Sequence, residues 1–173
     1  MNALDLQRMA HRLHKRGIPV VPDLIRQTIQ VLFSSVLPPG VEIGEGTQLG
    51  YGGLGVVIHA EAKIGRKCLI AQQVTIGGRS GSTGAPVIGD GVMIAAGAKV
   101  LGPIRIGTGA IIGANAVVLK DVDAGEVVGG VPARPLRASP EAREAFRREM
   151  REHFGVELDE KILPRMDDGA EAR

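Results

Sequence analysis

Tryptophan is absent, tyrosine occurs once and phenylalanine three times in the 173 residues. So few rings exclude a single-stranded nucleic-acid surface, which needs aromatic stacking platforms. Cysteine also occurs once, at Cys68, which rules out a disulfide framework or a multi-cysteine zinc site within the chain. An excess of one charge is lacking too: 21 Lys and Arg stand against 19 Asp and Glu, so the dense basic face of a duplex binder is missing. No run reaches the roughly 18 uninterrupted apolar residues of a spanning helix, and Met1 to Arg16 lacks the apolar stretch of a secretory signal. These absences lead us to expect a cytoplasmic protein with no nucleic-acid partner and no membrane insertion.

Glycine, by contrast, occurs 25 times, and an aliphatic residue returns every six positions through Ile58, Ile64, Ile70 and Ile76. The series resumes in phase at Ile88, Ile94, Val100, Ile106, Ile112 and Val118. The next residue is Gly or Ala in seven of these ten repeats. A period of six is neither the 3.6 of a helix nor simple strand alternation. It predicts a short strand, a sharp corner and another short strand, three of which close a triangular coil of about 18 residues. Successive coils stack at about 4.8 Å and pair as parallel strands. Ile fills the narrow interior, small residues sit where the chain bends, and Gly is expected to supply the strained φ there.

Fainter copies at Leu37, Ile43 and Leu49 carry the pattern upstream, so about five coils are expected, ending near Val131. The interruption GGRSGSTGAPV, residues 77–87, is expected to loop out from a corner. Helices are predicted over Leu4 to Lys15 and Leu24 to Val36, and again over Glu141 to Phe154 behind the Ser139-Pro140 cap. The stripe Phe146, Met150 and Phe154 reads as a docking face. The resulting division is a helical segment 1–35, a β-solenoid 36–137, and a C-terminal helix and tail 138–173.

The hexapeptide run, the segment VTIGGRSGSTGAPVIGDGV and the ending VLKDVDAGEVVGGVPARPL resemble the left-handed β-helix acyltransferases. Within them the likeness is to serine acetyltransferases and their relatives in polysaccharide gene clusters. It covers about residues 36–137. The resemblance implies a left-handed parallel β-helix, a homotrimer with active sites between neighbouring prisms, and acetyl-CoA as the donor to a hydroxyl. Matched position by position, Gly78, Ala96 and Ala114 would meet the pantetheine arm with exposed backbone, and Lys120 and Arg134 the nucleotide phosphates. Tyr51 stands where the family carries its base histidine, and the family's Asp-Arg-His in the loop is reduced to Arg79, Ser80, Ser82 and Thr83. That departure leads us to expect a sugar or nucleotide sugar slightly ahead of L-serine as acceptor, with Arg79 on the acceptor side.

His59 is the sole histidine in the repeats, at a place where most repeats carry Gly or Ala. It precedes Gly77 by 18 residues, one coil, so it falls beneath the root of the loop, which in the family overhangs the transfer cleft. His59 is therefore the expected general base, with the Gly77 or Gly78 amide stabilising the oxyanion. Tyr51 orients the acceptor or the base, or packs between subunits, and Glu61 is either a solvated corner carboxylate or an orienter of the imidazole. Cys68, at an inward repeat position, reads as a buried structural thiol. Two rival classes remain: a non-catalytic trimeric assembly protein, and a zinc-dependent hydratase, for which one coil histidine per chain supplies too few ligands. No metal is expected.

Overall fold

A computed structural model of the chain describes residues 2–136 and, beyond them, positions 139, 141, 144, 145, 148, 151 and 152. The polypeptide winds into a three-faced parallel solenoid of four full coils. The first coil is β1 (Glu42–Ile43), β2 (Gln48–Leu49) and β3 (Val57–Ile58). The second is β4 (Lys63–Ile64), β5 (Leu69–Ile70) and β6 (Thr75–Gly77). The third is β7 (Val87–Ile88), β8 (Met93–Ile94) and β9 (Lys99–Leu101), and the fourth is β10 (Arg105–Ile106), β11 (Ile111–Ile112) and β12 (Val117–Val118). β1, β4, β7 and β10 form the first face, β3, β6, β9 and β12 the third. The second face runs β2, β5, β8, β11 and continues through β13 (Val127–Gly129) to β14 (Arg134–Pro135).

Register follows the six-residue period. Ile58 pairs with Ile76, Ile76 with Val100, Ile70 with Ile94 and Ile94 with Ile112. These side chains point inward and are buried, as are the small residues four places on, Ala62, Cys68, Val74, Val92, Ala98, Ala110 and Ala116. Four coils form rather than five because the ends pair only in part. Val36 makes a single bridge to Val57, Val122 a single bridge to Ile106, and antiparallel β14 then closes the upper edge against β13. Such closure blunts an otherwise open strand edge.

The lower edge is covered by α1 (Ala3–Lys15). Asn2 and Asp5 form a reciprocal capping box at its start. One helix face turns polar groups onto the first coil: buried Gln7 donates to the Val41 carbonyl at 3.1 Å, and His11 Nδ1 donates to the Pro39 carbonyl at 2.8 Å. Backbone groups that would have met a further coil are thereby satisfied. α2 (Val21–Phe33) packs against α1. It stops three residues short of the expected Val36, because Ser34 turns left-handed and the chain must straighten to bridge Val57. Beyond the solenoid, the described positions 141, 144, 145, 148, 151 and 152 are helical; the stripe Phe146, Met150 and Phe154 lies outside the described residues.

The three corners differ in a way the composition does not disclose. Between the first and second faces the residues after the inward aliphatics are Gly44, Gly65, Gly89 and Gly107, and none has positive φ. What requires glycine there is crowding. A methyl group on Gly65 would lie 2.6 Å from the Gly89 carbonyl carbon and oxygen, and one on Gly89 2.7 Å from the Thr108 nitrogen. The left-handed residues come two places later, at Gly46, Lys67, Gly91, Gly109 and Gly125. The corner between the second and third faces carries Gly50, Ala71, Ala95 and Gly113. The corner between the third and first faces reads His59, Gly77, Leu101 and Leu119, so it alone has large side chains directly after the inward aliphatic. At this third corner the chain leaves the solenoid: Ile64 pairs with Ile88, 24 residues on, whereas Ile58 pairs with Ile76 and Ile88 with Ile106, each 18 residues on.

Candidate active site

The extra residues form the loop that follows β6. Ser82 turns back onto the Arg79 carbonyl through both its amide, at 3.1 Å, and its hydroxyl, at 2.9 Å. Gly84, with φ of 102°, lies against Pro103, and the Arg79 stem lies against Gly102. The loop thus leans on the coil above and leaves a hollow lined by Gly81, Ser82, Thr83 and Pro103.

Below the root of this loop is His59. Its amide donates to the Ile76 carbonyl at 2.8 Å, which fixes the backbone one coil beneath Gly77. Its ring is exposed, and its Nε2 and Cδ2 edge lies 3.8 Å from where a side chain on Gly78 would begin. A bare backbone at Gly78 therefore keeps this edge of the imidazole open. The Gly78 amide donates to no acceptor among the described residues. On the ring's other edge, Nδ1 accepts the Glu61 backbone N–H at 3.2 Å. The contribution of Glu61 is thus its amide; its carboxylate has no hydrogen bond to the ring.

The other sequence-predicted residues divide between two corners. Gly77, Gly78, Arg79 and Lys120 share the third corner with His59, and both Arg79 and Lys120 are exposed. Ala96 and Ala114 stack one coil apart at the second corner, where the Asn115 amide donates to the Ala96 carbonyl at 2.9 Å. Tyr51 stands at the second corner of the first coil, in the short turn Gly50–Gly53, with φ of 48° and its ring 81% exposed. Within one chain, Tyr51 and His59 are therefore held apart at opposite ends of the β3 side. Arg134 lies exposed on β14, beside the second face, where its guanidinium donates to the Ala133 carbonyl.

Sequence reasoning missed the Glu61 amide and the large-residue character of the third corner. The second was signalled by Leu101 and Leu119, the two repeats besides His59 without Gly or Ala. Cys68 is buried beneath the first corner, its Sγ 3.1 Å from the Gly89 carbonyl, and burial pushes its thiol above the ordinary range. It holds the coil rather than serving as a nucleophile. Among the described residues no three His, Cys, Asp or Glu side chains come together, and no helix is long and apolar enough to cross a membrane.

A parallel solenoid built from sixfold repeats, with an extruded loop over a lone imidazole, defines the class: residues 85–120 match the bacterial transferase hexapeptide family of six repeats. The chain is 40% identical over 139 residues to a serine acetyltransferase of Synechococcus elongatus, covering 79% of this chain and 57% of that protein. A second relative, the serine acetyltransferase of Helicobacter pylori, is 38% identical over 138 residues, covering 79% of this chain and 80% of the relative. A solved serine acetyltransferase in complex with CoA superposes with a TM-score of 0.71 at 35% identity, over 78% of this chain and 55% of that one. The chain belongs to the serine acetyltransferase family of left-handed β-helix proteins. It spans 57% and 44% of the cyanobacterial and one plant relative's length.

Proposed function

We propose that this protein is an acetyl-CoA-dependent O-acetyltransferase working as a homotrimer, with transfer taking place at the third corner. The observation that carries the reading is the open imidazole edge of His59 beside bare Gly78 at the root of the loop, in a chain of this family. The residues fit a thin thioester substrate. Gly77, Gly78, Ala96 and Ala114 carry nothing larger than a methyl group and are partly or fully exposed, so a thin arm can approach the backbone there, and Lys120 and Arg134 supply exposed cations for the nucleotide phosphates. The division of these residues between two corners supports a site shared by adjacent copies, one contributing the His59 corner and the next the Tyr51, Ala96 and Ala114 corner.

Transfer is direct. The acceptor oxygen attacks the acetyl carbonyl carbon, the carbon–sulfur bond breaks, and CoA leaves as the thiol without an acyl-enzyme. On the acceptor side Arg79 is the loop's only cation, and a guanidinium suits a carboxylate-bearing substrate. That favours L-serine, in agreement with the relatives; the sugar preference drawn from Tyr51 has no counterpart among them. The test is release of free CoA from acetyl-CoA, with L-serine and with a panel of sugars and nucleotide sugars. L-Serine is expected to stimulate release several-fold over the acceptor-free rate. Stimulation only by a sugar would overturn the acceptor, and no stimulation by any of them would overturn the activity.

A further inference from the structure

We infer that His59 serves the transfer as a hydrogen-bond donor to the thioester carbonyl oxygen through Nε2–H, rather than as the general base expected from the sequence. The inference rests on the proposed acetyl transfer and assigns a role within it. A backbone amide can only donate, so the 3.2 Å contact from the Glu61 N–H requires a lone pair on Nδ1. A neutral imidazole with a lone pair on Nδ1 carries its proton on Nε2. Nε2 is also the edge that lies open beside Gly78. To act as a base there, the ring would have to move its proton to Nδ1 and set two N–H groups against each other.

The same corner offers a second donor. The Gly78 amide has no acceptor among the described residues, so the loop root carries a free backbone N–H in addition to the N–H of the ring. Two donors meeting on one carbonyl oxygen stabilise the negative charge that gathers there as the carbon becomes tetrahedral, and we assign that pairing to these two groups. In the balanced step, the acceptor oxygen bonds to the acetyl carbon and charge collects on the carbonyl oxygen between these donors. The carbon–sulfur bond then breaks and the electron pair leaves with sulfur. The acceptor's hydroxyl proton reaches the thiolate through solvent water, giving ester and CoA thiol. Glu61 is then a positioning residue that acts through its amide, and its side chain is dispensable.

Two measurements test this, one of them independent of turnover. Glutamine places an amide N–H near the position of Nε2 but has no basicity. H59Q is therefore expected to keep kcat within about tenfold of wild type, while H59A loses about 10²–10³, the cost of a missing oxyanion donor. H59Q falling as far as H59A would overturn the donor role. Separately, long-range proton–nitrogen NMR correlations of the neutral imidazoles, with H59A used to assign the signal, should show Nε2 protonated and Nδ1 bare. A protonated Nδ1 overturns the inference whether or not an acceptor has been found. A wild type inert toward every acceptor, with the expected NMR pattern, would overturn the proposed activity and leave the ring's polarity standing.

Discussion

A single methyl group separates the two kinds of glycine in this chain. At Gly65 an added Cβ would lie 2.6 Å from the backbone of the coil above, whereas at Gly77 its nearest neighbours are side chains, Leu101 at 3.5 Å and Thr75 at 3.6 Å. Backbone cannot retreat without shifting a whole coil, so G65A should destabilise by about 1–3 kcal/mol or more, as overpacking does. G77A should stay within about 0.5 kcal/mol. Thermal melts of the two variants measure the difference, and equal melting temperatures would contradict the crowding argument. The residue scale also shows where sequence reading stops. His59 stood out because the repeat does not ask for a histidine, yet the polarity of its ring depends on an amide two residues on. A hydrogen bond from backbone leaves no trace in residue identity, whereas the carboxylate of Glu61 invited attention and does not meet the ring.

Between elements, the period of six disclosed the strands and the register, because an inward aliphatic every sixth position stacks one coil on the next, whereas the left-handed winding came from the family resemblance. The coil count was less legible, since Leu37 follows the pattern while its neighbour Val36 makes only a single bridge, and Val122 likewise makes only one. What ties successive coils together outside the core is also partly polar. Asp90, in the third coil, accepts the Arg66 amide at 2.7 Å and the Arg66 guanidinium at 2.9 Å from the second. The backbone bond first, and the guanidinium bond and charge after it, hold the Asp90 carboxyl below its ordinary value of 3.8. A depressed carboxyl stabilises the fold above its unfolded value, and that contribution disappears as pH falls through the lower folded value. Wild type should therefore be more stable than D90N at pH 7, by no more than about 1 kcal/mol for so exposed a pair. The two should converge as the solution is acidified below 3.8. Denaturant melts across that range check the sign; a gap that widens on acidification would refute it.

At the scale of the molecule, the solenoid keeps apart the groups that acetyl transfer would need together. His59, Gly78 and the loop occupy the third corner, while Tyr51, Ala96 and Ala114 occupy the second, and a rigid prism cannot fold one corner onto another. The proposed closed ring of copies would solve this by setting the third corner of one prism against the second corner of the next through rotation about its axis. In such a trimer every site needs His59 from one copy and Tyr51 from its neighbour. H59A and Y51A homotrimers should each be impaired. Co-refolding them in equal amounts should restore about one-quarter of wild-type sites, since three-quarters of random trimers are mixed and each mixed ring has one intact junction of three. The mass of the assembly, by light scattering, should be three times the 18.1 kDa chain. If both variants are impaired, the mass is trimeric and mixing restores nothing, then the site belongs to one chain. The exposed Tyr51 ring would in that case be an interface group, and the third corner would have to complete the chemistry alone.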